Sequence, residues 1–172
     1  MDYVQNFISI EDQTRAAMQQ WASGIGVATA EYDGVRHGMT VSSFTSVSMD
    51  PPLVLVSMQK DTRTHDLVLS SGAFGVTLLA GDQQEISDRF AGRTVKDDQR
   101  FEGLEIFNLE TGSPLLAGGL AVFDCRLKAS FDANTTTVMF GEVVTALVSN
   151  RPEEVLEPLL YHNQGYRWLK EV

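Results

Sequence analysis

The 172-residue chain predicts a mainly β domain, its strands pairing antiparallel into a closed or partly closed barrel with a few helices outside it. Two observations carry that expectation. Two long runs rich in Thr, Val and other β-formers, Leu120–Ser130 and Thr135–Ser149, are joined across Asp132-Ala133-Asn134, a turn signal between strands. Earlier, Ile25, Val27 and Thr29 alternate with small residues over Gly24–Glu31, and Tyr32-Asp33-Gly34 turns the chain back into Val35–Val41. Runs of strands with few intervening helices favour a barrel over a doubly wound sheet.

The remaining elements follow in order. A helix is expected from about Ile10 to Ala22, with Ile10, Ala17, Met18 and Trp21 near one face. Leu53–Ser57 reads as a short buried strand whose edge is marked by Pro51-Pro52, because proline donates no ladder hydrogen bond. A helix over Thr62–Ser70 ends at Ser71-Gly72, and Ala73–Leu79 is again a strand. Asp82 with Glu85 three residues on resembles a capping box opening a helix through Phe90. No repeat or linker divides the chain, so residues 1–172 are expected to form one domain.

Composition narrows the function. Hydrophobic residues make up 43% and charged residues 21%, enough apolar side chain for a real core. The longest wholly aliphatic run, Leu53–Val56, is far short of a membrane span, and no secretory signal opens the chain. A lone Cys125 rules out an internal disulfide and fits a reducing cytosol, so a cytoplasmic protein is expected. The net charge of −10 repels a phosphate backbone and argues against nucleic acid. Basic residues are unevenly spread: Lys60, Arg63, Arg89, Arg93, Lys96 and Arg100 put six of thirteen within 41 positions, a local pocket for a small anion.

The familiar catalytic constellations are missing. Gly24-Ile25-Gly26 lacks the third glycine of a dinucleotide fingerprint and sits in a strand pattern, where close backbone packing explains it. His37, His65 and His162 have no metal-ligand spacing, and Asp97-Asp98 and Glu153-Glu154 read as surface. The unusual segment is Gly38–Lys60, which gathers Thr40, Ser42, Ser43, Thr45, Ser46, Ser48 and Ser57 around the proline pair. It is either a hydroxyl-rich β-bend or a place where small side chains let a flat ligand lie against the backbone. Just downstream, Lys60-Asp61-Thr62-Arg63-Thr64 sets two cations and two hydroxyls at a helix N-terminus, which favours an anion.

The strings GMTVSSFTSVSMDPPLVLVSM, TRTHDLVLSSGAFGVTLL and DRFAG resemble the flavin reductase family, from about Trp21 through Gly141 and again over Tyr161–Leu169. The resemblance implies an antiparallel split β-barrel of the FMN-binding type. It also implies a short-chain NAD(P)H:flavin oxidoreductase that serves a two-component monooxygenase. By position, Thr40, Val41, Ser42 and Ser43 match the stretch around the isoalloxazine ring, and Ser46 and Val47 the residues beside the ring and ribityl chain. Ser57, Met58, Gln59 and Lys60, with Thr62 and Thr64, match the grip on the flavin phosphate. Phe90 and Ala91 match a pair near the far end of the flavin. Tyr161–Tyr166 resembles the element that receives nicotinamide nucleotide, with His162 and Tyr166 the candidates, although both equally suit a packed C-terminal anchor.

The cofactors implied are FMN or FAD, with NADH or NADPH as hydride donor, and the assembly implied is a homodimer. No side chain need act as acid, base or nucleophile, since hydride transfer is the cofactors' own chemistry. One departure stands out: Thr136 occupies the position where family members often carry a histidine near the flavin–nicotinamide contact. Two other readings stay open, a non-catalytic flavin carrier or sensor and an oxidase acting directly on an organic substrate.

Overall fold

The computed structural model describes residues 9–151 and 157–169. In chain order the elements are α1 (Ile10–Met18), β1 (Ser23–Gly24), β2 (Gly26–Tyr32), β3 (Val35–Val41), β4 (Thr45–Met49), β5 (Pro52–Gln59), α2 (Arg63–Ser71), β6 (Ala73–Leu78) and α3 (Gln84–Phe90). A 3-10 turn at Asp97–Gln99 follows, then β7 (Ile106–Asn108), β8 (Pro114–Leu116), β9 (Ala121–Ala133), β10 (Thr136–Val148), β11 (Leu160–His162) and β12 (Gly165–Arg167). The molecule is mainly β. Its principal sheet has seven strands in the order β3-β2-β6-β9-β10-β5-β4, every adjacent pair antiparallel.

Both expected hairpins form. β2 pairs with β3 from Gly26 opposite Val41 to Tyr32 opposite Val35, and Asp33 and Gly34 take the positive φ that a tight two-residue hairpin turn requires. β9 and β10 pair along their whole lengths, with bulges near Gly141 and between Val143 and Thr145. Their turn is Asn134-Thr135, one step later than the Asp-x-Asn signal implies. Asp132, next to last in β9, accepts a bond from the Asn134 amide at 2.8 Å.

The sheet is buried on both faces around β2 and β6, where side-chain alternation sorts residues between two cores. Ala28 and Ala30 of β2, with Phe74 and Val76 of β6, join Val56, Met58, Met139 and Val68 of α2 on one side. Val27 of β2 faces the other side with Leu79, Phe90, Phe101, Leu116 and Leu159. Fully burying such side chains stabilises by about 1.5–3 kcal/mol each. α2 is capped by Thr62 at its start and closed by Gly72 at φ +67, whose amide bonds Val68.

Four expectations need correction. α1 stops at Met18, and among the described residues nothing covers its apolar face; Ile10, Met18 and Trp21 are each more than half exposed. Thr45–Met49 is an edge strand and not part of a bend, since Thr45–Met49 folds back onto Leu55–Pro52 of β5. Asp82 and Glu85 form no capping box: α3 starts after Gln83 without a side-chain cap, and Asp82 pairs with Arg151 at 2.6 Å. The short hairpins β7–β8 and β11–β12 have no counterpart in the sequence reading. Of the Gly24-Ile25-Gly26 glycines, only Gly26 sits tightly, where an added Cβ meets the Thr77 carbonyl at 3.0 Å. Among the described residues no helix is long and apolar enough to cross a membrane. Glu153-Glu154 lie outside the described residues.

Candidate functional site

Three adjoining cavities meet at Ser42, in the loop that leaves β3. The first, about 470 Å³, lies between the ends of β3 and β5, the start of α2 and the end of α3. Nine of the anticipated residues line it: Thr40, Val41, Ser42 and Ser43 on one wall, Ser57, Gln59 and Thr62 on another, and Phe90 with Ala91 at the α3 end. Thr136, where the resemblance implies a histidine, also lines it. Met39 and Arg100 complete the wall.

Many of these hydroxyls brace the backbone. Thr40 donates to the Ser87 carbonyl at 2.6 Å, tying β3 to α3. Ser43 accepts from the Ser57 amide at 3.0 Å and donates to the Ser57 carbonyl at 3.2 Å, stitching the loop to β5. Thr62 donates to the Gln59 carbonyl at 2.7 Å while capping α2. Small hydroxyl side chains thus tie β3, the loop after it and the start of α2 to the backbone around the cavity.

Other anticipated residues lie elsewhere. Met58 is fully buried in the core, because it alternates inward from Ser57 and Gln59. Thr64 is also fully buried and bonds His37 Nδ1 at 2.7 Å. Lys60 lines a groove that adjoins the first cavity at Gln59, with Asp61, Asn134 and Thr135, and pairs with Asp132 at 2.7 Å. Ser46 and Val47 lie exposed on β4, off these cavity walls.

The second cavity, about 880 Å³, is lined by Arg15, Met18 and Trp21 from around α1, by Phe44, and by Tyr161, Asn163 and Gln164 of the β11–β12 hairpin. A bond from the Asn163 amide to the Gln19 carbonyl at 2.9 Å ties that hairpin to the end of α1. The third, about 180 Å³, joins the other two and includes Arg93, Tyr161 and Tyr166. Tyr166 donates toward Asp88 at 2.8 Å and lies 2.9 Å from the Ser87 hydroxyl, which locks β12 onto α3. Burial, opposed by the Ser87 bond, holds the Tyr166 hydroxyl above its ordinary range. His162 is half-buried and lines none of the three; its neighbours Tyr161, Asn163 and Gln164 do instead.

Behind the first cavity runs a polar chain absent from the anticipated set. His37, 4% exposed, lies 2.9 Å from Asp97 through Nε2. Asp97 in turn pairs with Arg100 at 2.7 Å. Arg100 also donates to the Gly38 carbonyl at 2.8 Å and the Phe90 carbonyl at 2.9 Å. Burial lowers the His37 imidazole, with the Arg100 and Arg63 charges adding to it and the Asp97 bond opposing. Burial raises Asp97, but the His37 bond and the nearby cations prevail and hold its carboxyl below the usual range. The only sequence signal for this cluster was the crowding of basic residues between Lys60 and Arg100.

This arrangement suits a flat polar ring against small side chains, with an anionic tail toward α2 and Arg100. Comparison with known proteins decides the family: the flavin reductase like domain matches residues 18–170. The chain belongs to the flavin reductase-like family. Its relatives include the NADH-dependent flavin reductase StyB of Pseudomonas fluorescens, 36% identical over 154 residues that span 88% of this chain and 86% of StyB. The reductase component of a FADH(2)-dependent resorcinol hydroxylase from a Rhizobium species is 38% identical, over 88% and 83% of the two chains. Among solved structures, BorF, the flavin reductase component of a bacterial two-component tryptophan halogenase, superposes with a TM-score of 0.83. It is 35% identical and covered over 99%, against 94% of this chain. Membership of the flavin reductase-like family thus accounts for the fold.

Proposed function

We propose that this flavin reductase-like chain uses NADH to reduce FMN or FAD and supplies the reduced flavin to a partner monooxygenase. The observation that carries the reading is the first cavity, where nine residues from four separate elements meet around the Ser42–Ser43 loop. When bound, the flavin supplies the hydride-accepting ring. The chain's residues bind and orient: Ser42 and Ser43 present a flat backbone edge, and Thr62 with the first turn of α2 presents free amides to an anion. The larger adjoining cavity, with Trp21, Phe44 and Tyr161 as flat apolar surfaces and Arg15 as a cation, suits the nicotinamide nucleotide. Because both cavities include Ser42 and Ser43, a nicotinamide entering from the larger one reaches the ring in the first and stacks on its exposed face. Bringing the reactants to near-attack distance is the main catalytic contribution.

The finer expectations belong to the same reading. Residues 1–172 form one domain of split-barrel type. That reading is supported by the order of the main sheet, in which β3 and β4 are the end strands, and by the cavity between the ends of β3 and β5. Two copies associate, with the exposed apolar face of α1 and the β4 edge available to the contact.

The reading is tested by mixing purified protein with FMN or FAD, adding NADH or NADPH in air, and following loss of reduced nicotinamide. Flavin-dependent NADH oxidation is expected. Tight flavin binding without turnover identifies a carrier instead. Flavin reduction by an organic substrate without nicotinamide identifies an oxidase. For the anion end, Thr62→Glu is expected to weaken FMN more than riboflavin, and equal effects on both overturn that placement.

A further inference from the structure

Arg100 is held as few surface arginines are. Its NH1 donates to two backbone carbonyls on different elements, Gly38 of β3 and Phe90 of α3. Its NH2 is fixed by Asp97, and the side chain is only 14% exposed. Among the described residues, its Nε is the one buried side-chain nitrogen or oxygen without a hydrogen-bond partner. The protein therefore orders a guanidinium on the cavity wall and leaves it incompletely satisfied. Buried polar groups are normally paired, so an unpaired one calls for an explanation.

The Asp97–His37 chain then links this cation to α2. Asp97 shares one oxygen between Arg100 and His37, and His37 bonds Thr64 in the first turn of α2. Thr62, the cap of that helix, contacts Met39, next to Gly38 on β3. Arg100 and the α2 N-terminus are thereby held on the same cavity, within one residue step along β3. With NH1 on two carbonyls and Nε buried, Arg100 offers the cavity a fixed positive charge through NH2 beside the α2 N-terminus, which matches a phosphate monoester or the first phosphate of a diphosphate.

The geometry points to Arg100 as the fixed cation that selects phosphorylated flavin over riboflavin, with Asp97 and His37 as its positioning residues. This inference rests on the flavin reading given above. Arg100 binds ligand; Asp97 and His37 act only through it, by holding its fork in one orientation. Arginine's planar fork makes lysine an incomplete substitute.

The experiment is a set of fluorescence titrations of FMN and riboflavin against wild type, Arg100→Gln, Arg100→Lys and Asp97→Asn. Arg100→Gln is expected to raise the FMN dissociation constant about tenfold or more, with riboflavin within about twofold. Arg100→Lys is expected to recover part of the preference, and Asp97→Asn to reduce it without changing riboflavin affinity. A merely structural arginine would weaken both ligands alike, and that result overturns the inference. If Arg100→Gln does not fold, the wild type decides with Asp97→Asn: inorganic phosphate should compete with FMN and spare riboflavin, less effectively against the variant. Phosphate that affects neither ligand, or both equally, overturns it. Failure of wild type to bind any flavin overturns the broader reading instead, so the two failures are distinct.

Discussion

His37 shows how one buried side chain couples the site to pH. In the folded chain burial holds the imidazole neutral, below its ordinary value of 6.5, while Asp97, Arg100, Arg63 and Thr64 surround it. The unfolded chain takes up a proton as pH falls through about 6.5, so between that value and the lowered folded one it binds more protons. Stability is therefore full above this window and falls as pH drops through it, by at most about 1.4 kcal/mol per unit for one group. Urea midpoints measured from pH 8 to pH 5 should fall, and the slope should flatten in His37→Gln. The carboxylates held low, Asp82, Asp97 and Asp132 among them, lose their contribution only in more acid solution. Cys125 makes the opposite point. It is fully buried, and burial together with the Asp124 charge pushes its thiol up to about 12. Thiol reagents at pH 8 should leave it unmodified in the folded protein and label it in urea.

At the scale of elements, two positions carry more weight than their size suggests. On β10, a Cβ added at Gly141 would strike the Phe74 ring and lie 2.9 Å from the Cys125 Cβ. Phe74 is fully buried in the core and has nowhere to move, so Gly141→Ala should destabilise by about 1–3 kcal/mol, read from the urea midpoint. On α2, Thr62 caps the helix by accepting from the His65 amide at 3.4 Å. Thr62→Ala should cost about 1 kcal/mol and leave the rest of the fold intact. The same variant removes a hydroxyl from the cavity wall, so thermal unfolding and flavin titration should be measured together.

At the scale of the molecule, the unpaired surfaces are informative. α1 buries none of its residues, and β4 is an edge strand with Val47 46% and Met49 80% exposed. An open edge with apolar side chains is a liability unless something covers it. A second copy is the proposed cover. Sedimentation should give twice the mass of one chain, and Met49→Lys should shift the population toward single chains if the β4 edge is in the contact. An unchanged dimer would move the contact away from that edge.

Much of this was legible in the chain, because strand alternation and turn residues act locally. The two hairpins, α2 with its Thr62 start and Gly72 end, and the wall residues Thr40–Ser43, Ser57, Gln59, Phe90 and Ala91 all follow from local pattern or motif. Motif position does not by itself give side-chain direction. Met58 and Thr64 carry the right positions but turn inward, since a strand or helix exposes only some of consecutive residues. Sequence by itself determined the mainly β class, the absence of an acid–base constellation in the motifs and the stretch that floors the cavity. Tertiary structure alone decided that His37 joins Asp97 and Arg100: those two are an i,i+3 pair, but His37 lies 60 residues before Asp97 and no local period links it to them. It likewise decided that Tyr161, and not His162, faces the cavities, because the hairpin's pairing with β1 sets which side chains turn inward.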